Sequence, residues 1–252
     1  MAREQEEARD AQDAYFWELQ RSLEQQDAAR GGPPRPGAAR LQLEEQELFG
    51  SIASAGIDFA KYDEVEVERS GKAAARIPPG RSYEEIFATF ALPPWLRENV
   101  ARCGYRQPTP VQKNAVPAAL VGRDIMVCAQ TGSGKTCAFL LPLIAACAAE
   151  PGKGCQAGGA TFTGPASPLG LILSPTRELC SQIHLEARKL TFASQVRALA
   201  LYGGVTAWHQ IRDLARGVDV ITATPGRLQD FHDRGLVSLR ACEFCVLDEA
   251  DR

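Results

Sequence analysis

Eight consecutive residues, Ala129-Gln-Thr-Gly-Ser-Gly-Lys-Thr136, carry the side chains that phosphate chemistry needs, in the spacing it needs. Glycines at 132 and 134 let the backbone turn sharply and aim successive N–H groups inward, making a concave nest for phosphate oxygens at the start of a helix. Lys135 would reach the β- and γ-phosphates of a nucleotide, and the Thr136 hydroxyl would fill one position on Mg²⁺. The usual pattern begins with Gly; here that place is Ala129, followed by Gln130 and Thr131, with Ser133 between the two glycines. An apolar run over 125–129 precedes the loop and a helical pattern runs on from Lys135, so the expected setting is strand, loop, helix. A Gly-rich turn joining a core strand to a core helix is the plainer alternative, and that setting disfavours it.

A second group of residues supplies the complementary half of phosphoryl transfer. Asp248-Glu-Ala-Asp251 follows the apolar run Phe244-Cys-Val-Leu247. An acidic pair at the end of a buried-type strand gives Asp248 to hold Mg²⁺ and Glu249 to orient or deprotonate the attacking water. Three further motifs stand at expected strand ends: Pro175-Thr-Arg-Glu-Leu179, Gly203-Gly204 and Thr224-Pro-Gly-Arg227. Thr hydroxyls, glycine N–H groups at helix starts and Arg side chains hold a sugar–phosphate backbone without reading bases. Taken singly, each could be an ordinary helix cap.

The elements that must position these residues follow from periodicity. Strands are expected at 169–174, 196–202, 219–223 and 244–248, alternating with helices at 176–192, 206–216 and 225–234, which implies an α/β fold with a parallel sheet covered on both faces. Such a sheet binds ligands at the carboxyl ends of its strands. Upstream, a helix from Trp95 to Cys103 ends at Gly104, and Gly104-Tyr-Arg-Gln-Pro-Thr-Pro-Val-Gln112 feeds a second helix reaching Leu120. Residues 151–168, rich in Gly and Pro, form a longer connection than such a fold needs and are expected to be a mobile surface insertion.

The first 46 residues have a different composition. Residues 1–50 hold six Arg against eleven Asp and Glu, whereas 84–252 hold seventeen basic and fifteen acidic residues. Net charge therefore gives no argument for nucleic acid, and only a local basic surface could serve. Tyr15, Leu19 and Leu23 recur every four residues beside Phe16 and Trp17. They could form an amphipathic helix that docks on a protein partner, but a transient helix in a largely disordered acidic tail is favoured, because nothing nearby in the chain supplies a core. Gly31-Gly-Pro-Pro-Arg-Pro-Gly37 reads as a linker, and 47–83 as an extended strap.

Gln112 in its Gly-Tyr-x-x-Pro-Thr-Pro-Val-Gln setting, the loop 129–136, Pro175 to Leu179, Gly203-Gly204, Thr224 to Arg227 and Asp248 to Asp251 together resemble the ordered motifs of the first RecA-like domain of DEAD-box RNA helicases. The stretch 56–71, Tyr202-Gly-Gly204 and the long insertion are most similar to the Vasa-like subfamily. Ala129 agrees with that family's own form of the loop. The resemblance covers about residues 47–252 and implies a Gln-motif region at 84–112 ahead of an ATP-binding domain at 113–252. It implies RNA-dependent ATP hydrolysis with Mg²⁺, coupled to local duplex opening. It also implies that Phe87 stacks on adenine, that Tyr105 and Gln107 flank the nucleotide, and that Gln112 hydrogen-bonds the base. Pro175, Thr176, Arg177, Gly204, Thr224, Gly226 and Arg227 would hold RNA backbone, and Asp251 would couple the ATP site to a domain interface. A Ser-Ala-Thr motif and a second RecA-like domain would be expected to follow, so the chain reads as part of a longer protein. The alternative is a shortened module that binds ATP or RNA without turnover.

Other chemistries find little support. Cys242-x-x-Cys245 is a lone pair with no second pair or nearby His to complete a zinc site. The three His are scattered, and no Ser-His-Asp grouping suggests itself. Eight cysteines in 252 residues, without a secretory signal, are expected to be free thiols in a reducing compartment, the cytoplasm or the nucleus. No apolar run is long enough to span a membrane.

Overall fold

The computed structural model describes residues 2–30, 38–50, 66–72, 74–150 and 164–251. Residues 51–65 and 73 of the expected strap and 151–163 of the expected insertion therefore lie outside the described residues. In chain order the helices ahead of the sheet are α1 (Ala2–Arg30), α2 (Ala38–Phe49), α3 (Tyr83–Thr89), α4 (Pro94–Arg102), α5 (Pro110–Leu120) and α6 (Lys135–Ala149). There follow β1 (Gly170–Leu173), α7 (Arg177–Leu190), β2 (Ala198–Leu201), α8 (Ala207–Leu214), β3 (Val220–Ala223), α9 (Pro225–Asp233) and β4 (Phe244–Leu247). The chain forms two compact units: Met1–Arg40, Cys147–Leu185 and Gln195–Arg252 make the first, and Leu41–Ala146 with Glu186–Ser194 the second.

The first unit is built on a parallel sheet of order β2-β3-β1-β4. Its strands are in phase: Leu173 lies beside Ala223 and Leu247, and Ala223 beside Leu201. The residues that follow each strand therefore emerge along one edge, which is what the strand-end motifs require. Leu171, Leu201, Ile221 and Ala223 point to one face and join a core with Ile211 and Leu214 of α8 and Leu228 and Phe231 of α9. Full burial of each large aliphatic or aromatic side chain is worth roughly 1.5–3 kcal/mol, and this pins α8 and α9 to the sheet. Ala166, near the end of the expected insertion, is also fixed here: it forms an isolated bridge with Val237 and is buried in the same core.

Residues 125–129 do not form the expected strand. They lie outside any ladder, with Met126 90% exposed. An apolar run becomes a strand only where another strand accepts its backbone groups, and among the described residues no strand pairs with this one.

The middle of α1 packs within the first unit. Phe16 is fully buried in the core just described, and Tyr15 stacks on Trp208 of α8 with ring centroids 4.2 Å apart. The sequence favours a transient helix here because no core lies nearby in the chain; the core comes from remote positions such as Ile211, Leu214 and Phe231, and Arg9 at its surface pairs with Asp230, 221 residues later.

In the second unit α3, α4 and α5 place the Gln motif. Ser82 caps α3 by accepting from the Glu85 N–H, and Asn99 of α4, buried, donates to the carbonyls of Leu190 and Phe192. Those carbonyls stand at the end of α7 and would otherwise lack partners. Residues 47–49 of the expected strap belong instead to α2, where Glu44 and Glu47 pair with Arg188 at 3.1 and 3.2 Å and Phe49 meets Phe192 edge-on.

Candidate nucleotide and nucleic-acid sites

The phosphate loop and the Gln motif are joined by hydrogen bonds inside the second unit. Pro110 starts α5, and Thr109 caps it in a reciprocal box with Gln112: the Thr109 hydroxyl accepts from the Gln112 N–H, and the Gln112 carboxamide oxygen accepts from the Thr109 N–H. The same two side chains grip the loop. Thr109 Oγ1 donates to the Ser133 carbonyl at 2.8 Å and Gln112 Nε2 to the Gly134 carbonyl at 3.1 Å. Gly132 and Gly134 both have the left-handed backbone the loop demands, with φ of 81° and 85°. A Cβ on Gly134 would stand 2.6 Å from Gln112 Nε2, so glycine is required there for space as well as for conformation.

Gln112 is 3% exposed, and its oxygen already accepts from two donors, the Thr109 N–H and the Tyr83 hydroxyl at 2.7 Å. Only its amide nitrogen keeps an N–H beyond the bond to Gly134. The structure thus brings Gln112 to the loop as a latch, and shows Tyr83, which sequence reasoning missed, fixing its orientation. Lys135 folds back onto its own loop, donating to the carbonyls of Ala129 at 2.5 Å and Gln130 at 2.9 Å. Exchanging these neutral acceptors for phosphate oxygens is favourable, since an anionic acceptor adds Coulombic attraction to the ammonium's hydrogen bonds. Thr136 is half-buried in the first turn of α6, and Gln130 and Thr131 are exposed. The Ser133 hydroxyl is buried with no hydrogen-bond partner. Such a group costs about 1–3 kcal/mol, which a phosphate oxygen would offset, so the loop fits the ligand its sequence implies.

The flanking residues are less uniform. Gln107 is exposed. Tyr105 donates to Glu186 at 2.8 Å, and burial followed by that carboxylate pushes its phenol well above the ordinary range. Phe87 is 5% exposed, so the ring that the family resemblance would stack on adenine is closed off in this conformation.

The strand-end motifs come together in the first unit as a ridge. Pro175, Thr176 and Arg177 follow β1, Gly203 and Gly204 follow β2, and Thr224, Gly226 and Arg227 follow β3; of these only Thr224 and Arg227 are partly buried. Arg177 lies over the Tyr202 ring, 5.2 Å from its centroid, and its Nη1 stands 3.5 Å from where a Gly204 Cβ would be. Arg227 donates to the Gln210 side-chain oxygen at 3.1 Å and the Val205 carbonyl at 3.0 Å, and Gln210 donates to the Tyr202 carbonyl at 3.0 Å. Burial lowers the Arg227 pKa, opposed by the charge of Asp230. Tyr202 and Gln210 therefore belong to the ridge, and no motif pointed to Gln210. Thr176 accepts from the Leu179 N–H at 3.2 Å, so the ordinary cap describes it, whereas Thr224 caps nothing with its side chain.

The acidic turn continues the sheet edge. The Asp248 N–H donates to the Leu173 carbonyl at 2.9 Å, extending the ladder one residue past β4. Glu249 then adopts φ 52°, a left-handed conformation that costs a non-glycine residue roughly 1–2 kcal/mol. Strain at a carboxylate beside a strand end is the kind retained for function. Asp248 and Glu249 are half-buried and Asp251 is exposed. Among the described residues no cluster of three or more His, Cys, Asp or Glu could hold a metal by itself. Thr136 in the second unit and Asp248 in the first each offer an oxygen of the kind Mg²⁺ prefers, an ion that takes one or two protein ligands and completes its shell with phosphates and water.

The DEAD/DEAH box helicase family model matches residues 109–252. The chain is 47% identical over 194 residues to DEAD-box ATP-dependent RNA helicase 52A of Oryza sativa subsp. japonica, covering 76% of this chain and 31% of that protein. It is also similar to the crystal structure of the RNA-helicase Prp28 from Chaetomium thermophilum bound to ADP, with a TM-score of 0.57 and 36% identity over 75% of this chain and 46% of that one. The sheet and helices therefore have the RecA-like helicase fold. The chain spans about a third of the curated relative and under half of the solved structure.

Proposed function

The chain belongs to the DEAD/DEAH box helicase family, and from that premise we propose that it is the ATP-binding, RNA-contacting part of an ATP-dependent RNA helicase. Hydrolysis and unwinding are proposed for the whole protein; for these residues the proposal is nucleotide binding, RNA-backbone binding and the groups that activate water. The observation that supports the reading is the bonding of Thr109 and Gln112 to the carbonyls of Ser133 and Gly134, which makes the shape of the phosphate loop depend on the element proposed to sense the base.

In this reading Lys135 leaves the Ala129 and Gln130 carbonyls for the β- and γ-phosphates, and Ser133 gains a phosphate partner. Thr136 would offer its hydroxyl to Mg²⁺, which neutralises charge on the phosphate oxygens, and Asp248 is a carboxylate of the type that holds such an ion. Glu249 orients water and takes its proton. Arg177, Arg227, Thr224 and the N–H groups near Gly204 and Gly226 hold phosphates and sugars of a single strand, so binding is insensitive to base sequence and sensitive to salt. Kinship to the Vasa-like subfamily is the finer proposal, resting on 56–71, Tyr202-Gly-Gly204 and the insertion.

Glu249→Gln tests the assignment. It should leave nucleotide affinity nearly unchanged while lowering RNA-stimulated phosphate release by about 10² to 10⁴-fold, since the amide keeps the shape but cannot accept the proton. Lys135→Ala should instead lose nucleotide affinity. Equal behaviour of the two variants in a binding titration would overturn the division of roles.

A further inference from the structure

Residues Arg9, Gln12, Asp13 and Phe16 are spaced to share one face of α1, and that face meets the two helices that begin at the ridge. Tyr15 stacks on Trp208 in the first turn of α8, at an interplanar angle of 22°. Arg9 donates to Asp230 Oδ1 at 2.6 Å. Arg234, only 6% exposed, donates to Asp13 and to Gln12 at 3.3 Å, and also reaches Asp230 Oδ2 at 3.4 Å. Phe231, fully buried, has the guanidinium groups of both Arg227 and Arg234 over its ring, at 5.2 and 5.4 Å from its centroid.

Asp230 stands three residues after Arg227 on α9, a spacing at which a carboxylate neutralises a guanidinium on the same helix. With α1 in place, both Asp230 oxygens are engaged, one by Arg9 and one by Arg234. Arg227 is held by two neutral acceptors, Val205 and Gln210. We propose that α1 is a positioning element for the nucleic-acid ridge: Arg9 takes Asp230, Asp13 satisfies Arg234, and the Arg227 guanidinium is left to present its charge to a phosphate. The Tyr15–Trp208 stack holds α1 in register and steadies α8 beside Gly203 and Gly204. Without α1, Asp230 and the buried Arg234 each lose a partner of opposite charge, and Asp230 becomes available to Arg227. The proposal rests on the reading of the ridge as an RNA surface.

The test is a fluorescence-anisotropy titration of a labelled oligouridine decamer with the 252-residue chain, at several salt concentrations. Arg9→Ala combined with Tyr15→Ala should weaken binding by about three- to tenfold, part of the worth of one charge-assisted contact. The salt slope should fall by about one phosphate contact, with affinity for a fluorescent ATP analogue unchanged. Adding Asp230→Asn to that variant should restore much of the RNA affinity, because the carboxylate that would capture Arg227 is gone. A lower melting temperature with unaltered RNA binding would reduce α1 to a stabilising helix and overturn the proposal. Tighter RNA binding would overturn it too, by showing that α1 covers the ridge. Arg227→Ala separates the premise from the inference: if it leaves RNA binding unchanged, the ridge reading itself falls. If Arg227→Ala weakens binding but the α1 variant does not, only the role of α1 is lost.

Discussion

The phosphate loop and the strand-end ridge, both proposed to meet phosphate groups, hold their polar groups in opposite ways. In the loop the polar groups are turned inward: Lys135 is bonded to the carbonyls of its own loop, and the Gln112 oxygen is shared by Tyr83 and Thr109. In the ridge the groups are turned outward: Pro175 to Arg177, Gly204 and Gly226 are exposed, and Arg227 is tethered by neutral acceptors. A site that bonds to itself must rearrange to bind, so its affinity is set by the internal bonds it gives up. A site tethered from behind binds as it stands, and its affinity follows charge and salt.

The sharpest way to break this contrast is Gly134→Ala. The new Cβ meets Gln112 Nε2, which is buried and bonded, at a left-handed position that L residues disfavour. Nucleotide affinity should fall by on the order of 10²-fold, from about 1–2 kcal/mol of backbone strain and a comparable packing cost. Isothermal titration with ATP reads this, and RNA binding at the ridge should not change. If both fell together, the two surfaces would not be energetically separate.

Next in size is the converse. Arg177→Ala and Arg227→Ala should each weaken binding of any single-stranded RNA by about tenfold and lower the salt slope by about one, with ATP affinity intact. A marked sequence preference among random RNAs, or a loss confined to one base composition, would mean that the ridge reads bases.

Tyr83→Phe refines the account of the loop. It removes one donor to the Gln112 oxygen, worth about 1 kcal/mol, so ATP affinity should fall about fivefold and the preference for ATP over GTP should narrow as the carboxamide loses its orientation. A gain in ATP affinity would show instead that Tyr83 withholds that oxygen from the base.

An effect absent at neutral pH concerns buried thiols in the unit that carries the loop. Burial pushes Cys103 and Cys137 up to about 12 from an ordinary value of 9.0. Between those values the folded unit keeps protons that the unfolded chain has released, so stability is unaffected below about pH 9 and declines as pH rises towards 12. Melting temperatures measured from pH 8 upward should show this decline, and Cys137→Ala should shallow it.

Local patterns made much of this legible. The strands at Gly170–Leu173, Val220–Ala223 and Phe244–Leu247 fall inside the expected runs, and the helix starts at Pro110, Arg177 and Pro225 lie within a residue or two of the predicted ones. Caps, prolines and apolar periods are short-range signals that survive in sequence. Residues 125–129 show the limit: their apolar run implied a strand, but a ladder needs a partner, and the run itself cannot say whether one is present.

By itself the sequence supplied the residues on which the proposed chemistry rests: glycines at 132 and 134 for the loop, Lys135 and Thr136 for phosphate and metal, the acidic pair at 248 and 249, and arginines at 177 and 227. Those assignments depend on residue type and spacing along the chain, which folding does not alter. Only the tertiary structure decided how these groups are held. It spent the Gln112 oxygen on Tyr83 and Thr109, closed Phe87 away, tied Arg227 to Gln210, and seated α1 against Trp208 and Asp230. Each is a pairing between residues remote in sequence, fixed by which surfaces the fold brings within hydrogen-bond or van der Waals reach, and no local pattern encodes that distance.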